Sequence, residues 1–201
     1  MISRKDDHLI NNERDKRKFY LYEAGRRRIQ QLAHFTRLEN LASILDRGIC
    51  PRDYLQANSL PFEWNDSRRY DGHTDASCLS VEFPNSQLFT KFRYQYGGVW
   101  VVLSLKPEVF LSESINEFHF YKGNAARNDL DRCRFSEMFG NSQTRFPEDE
   151  QAEILAFGTI DQKYIQLIFV ESEEDETLLK NQGMDGIAYF PDMFKQRDLV
   201  I

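Results

Sequence analysis

The chain has 201 residues, enough for one domain with a substantial core. Hydrophobic residues make up 41% and aromatic residues 13% of the chain, a composition that excludes an intrinsically disordered protein. No apolar run reaches the ~18 residues that a membrane-spanning helix needs, and the first residues lack the apolar segment of a secretory signal. Cys50, Cys78 and Cys133 are widely spaced. This predicts reduced thiols, a cytoplasmic location and no metal site.

The formal net charge of −6 is unevenly distributed along the chain. Residues 1–30 contain nine Lys and Arg against five Asp and Glu, so the remainder is strongly acidic. A basic arm on an acidic body is typical of a protein with a polyanionic partner, although a solvated helix of mixed charge is an equal alternative. We predict a basic helical or flexible extension over residues 1–28 and one folded domain over residues 29–201.

The first firm pattern is a strand over residues 29–35 that leads directly into a helix over residues 36–48. Thr36 and Glu39 have the spacing of a capping box, apolar residues follow with helical periodicity, and Gly48 ends the helix. Free N–H groups at a helix N-terminus favour phosphate or ribose oxygens, which makes His34 and Thr36 candidate nucleotide contacts. A purely structural histidine is the alternative.

Residues 49–75 are rich in proline, glycine and polar residues, which predicts a long irregular loop. Loops of this length inside a compact domain are usually functional. The adjacent Arg68 and Arg69 have the chemistry to hold a pyrophosphate through bidentate hydrogen bonds. Paired arginines are also common on protein surfaces, so both interpretations stay open.

Short strands dominate the rest of the chain. A polar loop over residues 141–150 leads to a further strand, residues 151–157. The other predicted elements are strands over residues 76–83, 99–105, 115–121, 164–170 and 187–190, and short helices over residues 86–93, 132–139 and 173–181. Their mixed order favours an α+β domain.

Glu153 lies at the start of the strand 151–157 and is followed only by apolar residues. Most glutamates at strand ends are simply solvated charges. A carboxylate fixed in a partly dry cleft, however, stabilises the positive charge that develops on an anomeric carbon as nicotinamide leaves NAD, and its loss typically costs roughly 3–4 kcal/mol of barrier. The same group can accept a proton from the attacking atom. Glu153 is therefore a candidate catalytic residue for ADP-ribosyl transfer.

Taken in order, these segments resemble the DarT family of DNA ADP-ribosyltransferase toxins. The resemblance covers roughly residues 30–171 and depends on the order of the motifs, not on any single one. The motifs are His34-Phe35-Thr36 with Asn40, Leu41, Ile44, Leu45 and Gly48; Arg69 with Asp71-Gly72; Ser80-Val81-Glu82-Phe83-Pro84-Asn85; Asn124-Ala125-Ala126; Phe135-Ser136-Glu137-Met138-Phe139; and Gln151-Ala152-Glu153-Ile154-Leu155.

The resemblance implies an ADP-ribosyltransferase-like fold of two packed, twisted β-sheets with short peripheral helices, and NAD as co-substrate in a cleft between the sheets. It implies that Glu153 is the catalytic glutamate. It also implies that Arg69, with Arg68 as the neighbouring alternative, orients NAD or assists the attacked base. The polar loop over residues 141–150 would recognise the substrate.

The same resemblance implies NAD contacts from three residues near the first helix: His34, Thr36 and Asn40. A target base must leave its stack, which costs least in a single strand. Tyr70 and Tyr121 are candidates to stack against such a base, with a role as core or cleft-wall aromatics as the alternative.

The function implied by the resemblance is a toxin that transfers ADP-ribose from NAD onto a base of single-stranded DNA, in a toxin–antitoxin or antiphage setting. A neutralising antitoxin, either an ADP-ribose-removing macrodomain or a binding protein, follows by analogy. The alternatives are an RNA-directed transferase of the same fold, an NAD glycohydrolase, a protein-directed transferase and an inactive nucleic-acid-binding module.

Overall fold

The computed structural model describes residues 12–64, 66, 69–127 and 129–197. Within these residues the α-helices are α1 (Glu13–Arg27), α2 (Leu41–Arg47), α3 (Arg52–Ala57), α4 (Ser86–Tyr96) and α5 (Glu173–Asn181). The strands are β1 (Leu32–Arg37), β2 (Ala76–Val81), β3 (Trp100–Leu105), β4 (Ile115–Tyr121), β5 (Glu153–Gly158), β6 (Ile165–Val170) and β7 (Ile187–Tyr189). Short 3-10 helices cover Leu38–Asn40, Pro107–Leu111, Phe135–Phe139, Gln162–Tyr164 and Pro191–Phe194. The α+β prediction is confirmed.

The seven strands form one hydrogen-bonded sheet in the order β4-β5-β2-β1-β3-β6-β7, antiparallel except between β6 and β7. β1 pairs with β3 along its whole length but with β2 through only two residue pairs, Leu32 with Val81 and Ala33 with Ser80. We call β4-β5-β2 the first half-sheet and β1-β3-β6-β7 the second. These halves, joined at one narrow point, correspond to the two sheets that the resemblance implied.

The alternation of side chains along β5 determines which residue faces which side of the first half-sheet. Ile154 and Ala156 belong to the main hydrophobic core. Leu155 and Phe157 belong to a smaller cluster on the other face, and Glu153 shares their face because strand side chains alternate. The carboxylate therefore lies opposite the main core.

The helix α1 packs firmly on the domain. Phe19 and Ala24 are buried, and the Tyr20 ring contacts four phenylalanine rings at centroid distances between 4.8 and 6.4 Å. Arg17 and Arg27 donate hydrogen bonds to main-chain carbonyls of the domain. The segment over residues 13–27 is thus helical and docked, while residues 1–11 of the predicted extension lie outside the described residues.

The structure corrects the predicted helix over residues 36–48. Thr36 lies in β1, where it pairs with Val101, and the helical part begins with the 3-10 segment Leu38–Asn40 before α2. No capping box forms, because Thr36 is buried in the sheet and neither helical segment has a side-chain cap. The prediction was wrong because local spacing does not show that β3 is long enough to extend β1 through Arg37.

Most other predicted elements occur close to their predicted positions. The five strands predicted over residues 76–83, 99–105, 115–121, 164–170 and 187–190 are present as β2, β3, β4, β6 and β7, and α5 has the predicted bounds. Two predictions need correction: α3 interrupts the expected loop over residues 49–75, and the helix predicted over residues 132–139 is only a 3-10 segment. Across the described residues, no helix combines the length and apolar character that crossing a membrane requires.

Gly48 ends α2 at a φ of 86°, and a Cβ placed there would lie 2.2 Å from the Ile160 carbonyl oxygen. We expect Gly48→Ala to lower the free energy of unfolding by roughly 1–3 kcal/mol because of backbone strain and this clash. Gly25→Ala is the control: no atom lies within 4 Å of its added Cβ, and the helical position should gain roughly 0.5–1 kcal/mol. Urea midpoints measure both changes. Similar effects at the two positions would contradict a glycine requirement at residue 48.

Candidate active site

A cleft of about 510 Å³ opens where β1 and β2 diverge. Its walls include the ends of these two strands, the first residue of β5, parts of α2 and α4, and the loop after α3. The volume falls within the ~300–1,000 Å³ typical of small-molecule sites. The structure brings all five predicted site residues to this one cleft: His34, Thr36, Asn40, Arg69 and Glu153.

Glu153 is buried, with 5% of its surface exposed, at the point where β5 begins. Its Oε2 accepts a hydrogen bond from the Ala125 main-chain N–H at 2.8 Å, and the Cys78 thiol forms a second hydrogen bond with the carboxylate. Burial raises the pKa of Glu153, and although these hydrogen bonds oppose that effect, the pKa stays above its ordinary value. The charged form of this carboxylate is poorly solvated, which suits the group to stabilise positive charge or accept a proton.

The segment Asn124-Ala125-Ala126 supplies one of these hydrogen bonds through its turn geometry. The Asn124 side-chain oxygen accepts a hydrogen bond from the Ala126 N–H at 2.8 Å, which fixes the turn after β4. This turn directs the Ala125 N–H at Glu153. Sequence reasoning included the segment only as part of the resemblance, since a turn gives no indication of which distant carboxylate it contacts.

Arg69 is held by a bidentate ion pair with Asp71. Its Nε and Nη2 donate to the two carboxylate oxygens at 3.0 and 2.8 Å, and Nη1 donates to the Ala76 carbonyl at 2.9 Å. Only 12% of the Arg69 side chain and 7% of the Asp71 side chain are exposed, so solvent screens this pair weakly. Asp71 thus fixes the direction of the cleft arginine. The alternative arginine, Arg68, lies outside the described residues.

His34 bridges the two diverging strands. Its Nδ1 lies 2.9 Å from the Cys78 carbonyl oxygen, which can only accept, so Nδ1 carries the proton. Burial lowers the pKa of His34, and the Arg69 cation acts in the same direction, although the hydrogen bond to the carbonyl opposes them. The imidazole is therefore neutral at neutral pH, and Nε2 is left as a hydrogen-bond acceptor.

Thr36 and Asn40 form a clamp on the loop after α3. The Asn40 side-chain N–H groups donate to Thr36 Oγ1 at 3.1 Å and to the Glu63 carbonyl at 2.9 Å, and the Glu63 N–H donates back to Asn40 Oδ1 at 2.7 Å. This anchors a segment whose Phe62 and Trp64 side chains line the cleft. Contacts of Thr36 and Asn40 with NAD stay a prediction, and the clamp is an additional role that their spacing did not reveal.

The structure adds two residues to the site and shows that the two candidate stacking tyrosines lie in different places. Cys78 and Asp71 touch the predicted catalytic pair, but neither was singled out as a site residue, because a strand cysteine and a loop aspartate have no distinctive spacing. Tyr70 lines the cleft and is 65% exposed, whereas Tyr121 is buried beside Leu155 in the smaller cluster. Among the described residues, no group of three or more His, Cys, Asp or Glu side chains is arranged to hold a metal.

A cleft between two half-sheets, with a buried glutamate on a strand and an oriented arginine beside it, defines an ADP-ribosyltransferase-like site. The family model described as "ssDNA thymidine ADP-ribosyltransferase, DarT" matches residues 33–188. The chain therefore belongs to the DarT family. The family description names an ADP-ribosyltransferase that acts on single-stranded DNA, which is the class of enzyme that the sequence predicted. A search of curated protein sequences gives no match.

Solved structures share the fold at low sequence identity. The structure titled "Thermosipho africanus DarTG in complex with ADP-ribose" matches with a TM-score of 0.67 and 17% identity over 82% of this chain and 51% of that one. The chain thus spans about half the length of that relative. Two Thermus sp. 2.9 DarT structures, with ADP-ribosylated ssDNA and with NAD+, match at TM-scores of 0.63 and 0.57 and 15% identity. Both cover 83% of this chain, and 97% and 98% of their own.

The raised pKa of Glu153 predicts a distinctive pH dependence of stability. The native state binds the proton of the Glu153 carboxyl more tightly than the unfolded state does. The free energy of unfolding therefore falls as the pH rises from 4.5 through the native pKa of Glu153. Glu153→Gln should therefore be more stable than wild type at neutral pH, and the difference should vanish in acid. Urea unfolding across the pH range measures it.

Glu137→Gln is the control of opposite sign for this measurement. The hydrogen bond from Arg134 lowers the pKa of Glu137, so its contribution is present at neutral pH and is lost in acid. That variant should be less stable than wild type at neutral pH and equal to it in acid. If Glu153→Gln were also less stable than wild type at neutral pH, the pKa of Glu153 would not be raised in the native state.

Because Asp71 directs Arg69, we predict that a substitution at Asp71 lowers the catalytic rate although Asp71 does not touch the reacting atoms. Asp71→Asn removes the charged bidentate partner, and the misdirected guanidinium should lower kcat by about 10–100-fold. Asp129→Asn is the matched control, because the Arg127–Asp129 pair has the same two-bond geometry with side chains 47% and 68% exposed. Steady-state transfer rates test the pair. Equal kcat values for the two variants would refute the orienting role of Asp71.

Proposed function

We propose that this protein transfers the ADP-ribosyl group of NAD onto a thymine of single-stranded DNA, with Glu153 as the catalytic carboxylate. The observation that carries the assignment of Glu153 is its burial at the head of β5 beside Cys78 and Arg69, inside the cleft. The family description supplies the acceptor base. A carboxylate that is merely solvated would have neither the burial nor the two hydrogen bonds.

In this proposal NAD occupies the cleft with its nicotinamide ribose at Glu153. His34 supplies an acceptor, Nε2, for a ribose hydroxyl, and Thr36 and Asn40 contribute from the adjoining wall. Trp64 forms part of the aromatic wall that excludes water, and its ring is braced by the Arg52 guanidinium at 4.0 Å. The support for this arrangement is that these side chains line one continuous cleft.

The reaction breaks the bond between the nicotinamide nitrogen and the anomeric carbon, and the electron pair leaves with nicotinamide. Glu153 stabilises the positive charge that develops on that carbon. Thymine has one ring N–H, at N3, so formation of the new carbon–nitrogen bond releases that proton, and the raised pKa of Glu153 makes its carboxylate the stronger acceptor. Arg69 donates to a carbonyl oxygen of the base. Holding base and NAD together contributes ~7–11 kcal/mol.

The acceptor strand reaches the site at the open rim of the cleft. The polar loop over residues 141–150 leads directly to Glu153 and serves as the recognition loop in this proposal. Tyr70, exposed at the rim, is placed to stack on an unpaired base, a contact worth ~1–3 kcal/mol. A single strand presents such a base at the lowest cost, since no pairing is lost.

The biological setting follows from the chemistry. Thymine modified at N3 no longer pairs, so the enzyme acts as a toxin toward DNA in the cytoplasm, in a toxin–antitoxin or antiphage system. Its cell then requires a neutralising partner, either a macrodomain that removes the ADP-ribose or a protein that occludes the cleft. This part of the proposal is supported by the family membership and by the DarTG match.

The decisive experiment incubates wild type and Glu153→Gln with NAD and short oligonucleotides that each carry one reactive base, and reads the products by intact mass. We expect an ADP-ribose adduct on the thymine DNA only, and a rate lower by roughly 10²–10³-fold for Glu153→Gln. Matched oligonucleotides with deoxyuridine and with 5-methyluridine in RNA separate the contribution of the methyl group from that of the deoxyribose.

Each other result supports a named alternative. Adducts mainly on RNA indicate an RNA-directed transferase of the same fold. NAD consumed without an oligonucleotide adduct indicates a glycohydrolase or a protein-directed transferase. Intact NAD under every condition indicates a binding module and rejects the assignment of Glu153. Retained transfer by Glu153→Gln rejects that assignment as well, while leaving the family activity in place.

A further inference from the structure

We infer that the helix α1, through Arg27, positions the recognition loop over residues 141–150. The inference rests on the proposed function, which makes this loop the contact surface for the acceptor strand. It concerns a part of the chain that lies before the range matched by the family model, residues 33–188. Arg27 is a positioning residue here, because it acts on the substrate only through the loop.

Arg27 is buried and reaches the first residues of the loop. Its side chain is 1% exposed, and its guanidinium lies 4.0 Å from the centre of the Phe139 ring. From there Nη1 donates to the main-chain carbonyls of Ser142 at 2.9 Å and Thr144 at 3.3 Å. A charged donor shared by two carbonyls fixes the backbone path across three residues, since both oxygens must face the same point.

Glu23 and Arg26 reinforce this connection. The buried Glu23 carboxylate accepts two hydrogen bonds from Arg26, at 2.8 and 2.7 Å, and lies 3.5 Å from Arg27 Nε. Arg26 in turn donates to the Gln143 side chain. Two consecutive arginines of α1 therefore hold three consecutive residues of the loop. Because Glu23 is 2% exposed, loss of either arginine would leave this buried charge with only one of its two partners.

The loop is also held from the side of the sheet. Glu82 is buried with a positive φ of 65°, accepts a hydrogen bond from the Gln30 N–H at 2.7 Å, and lies 3.9 Å from Arg145 Nε. At the end of the loop, Glu150 accepts hydrogen bonds from Ser86 and Gln87 at 3.0 and 2.8 Å. With its middle and end fixed in this way, the start of the loop takes its position from α1.

These contacts also bear on the prediction of a basic arm for polyanions. Among the described residues of α1, Arg17, Arg26 and Arg27 bind groups of the domain itself. Lys16 and Lys18 form ion pairs with neighbouring acids of the same helix. Most of the positive charge on this helix is thus engaged in docking and in holding the loop. The described part of the extension fits an internal brace better than a clamp on DNA.

Arg17 provides a matched control on the same helix. Like Arg27, it donates from α1 to main-chain carbonyls, those of Ser112, Ile115 and Asn116. Ile115 pairs with Gly158, the last residue of β5, whereas Glu153 is the first residue of that strand. The contact of Arg17 therefore lies about 17 Å along the strand from the carboxylate. A lysine at either position keeps the charge and the aliphatic stem but loses the planar fork that serves several carbonyls.

The experiment compares Arg27→Lys and Arg17→Lys as full-length proteins. Both should lose similar stability toward urea. Arg27→Lys alone should raise the KM for the oligonucleotide about tenfold, with the KM for NAD unchanged, because only the loop has moved. Amide hydrogen exchange over residues 140–150 should accelerate in Arg27→Lys and not in Arg17→Lys. Arg26→Gln, at a more exposed position, should show the same changes to a smaller extent.

Unchanged exchange in the loop of Arg27→Lys overturns the inference. So does a KM for the oligonucleotide that stays at the wild-type value, or that rises equally in Arg17→Lys. If Arg27→Lys does not fold, the exchange and KM of Arg26→Gln decide the question. If the wild-type protein modifies no oligonucleotide, the proposed function fails, while hydrogen exchange alone still decides whether α1 holds the loop.

Discussion

The incomplete pairing between β1 and β2 is the constraint on which the site depends. After two residue pairs the strands separate, and the gap between them becomes the cleft. Main-chain groups exposed by the separation need new partners, and His34 takes one of them, the Cys78 carbonyl. Full pairing would leave no cleft, and complete separation would leave the two halves without a common position. The narrow join therefore both opens the cleft and fixes its two walls relative to each other.

The groups in the cleft illustrate how function opposes stability. Glu153 is buried, and burial raises its pKa by disfavouring the charged form, an effect that the hydrogen bonds from Ala125 and Cys78 only partly offset. Three of the five N–H groups of Arg69 bind Asp71 and the Ala76 carbonyl, so Asp71 and not Glu153 fixes the direction of the guanidinium. Under the proposed function, the Glu153 carboxylate is preorganised for a positive transition state. The fold tolerates the cost of its burial because the main core lies on the opposite face of β5.

The two sides of the cleft differ in how they are supported. The side proposed to bind NAD is built from sheet strands and α2, elements with regular hydrogen bonding. The side assigned to the acceptor strand is a loop without helix or strand, and buried charged groups such as Arg27 and Glu82 hold it in place. Hydrogen bonds and ion pairs of this kind depend on the exact position of each donor and acceptor. Substitution of a single side chain can therefore move the loop. Under the proposed function, specificity for the acceptor can thus change while Glu153 and Arg69 stay unaltered.

The sequence by itself determined the α+β class and the positions of most strands, because hydrophobic periodicity is a local signal. Glu153 is a prediction from its place in the ordered set of motifs, since an acid before an apolar strand is by itself a weak signal. The order of the motifs then indicated the family. Only the tertiary structure decided that Thr36 belongs to a strand, that Asp71 contacts Arg69 and Cys78 contacts Glu153, and that Arg27 contacts a loop more than a hundred residues away in sequence. Each of these is a contact between segments distant in sequence or a competition between a local cap and a sheet partner. Spacing within one segment carries no information about either.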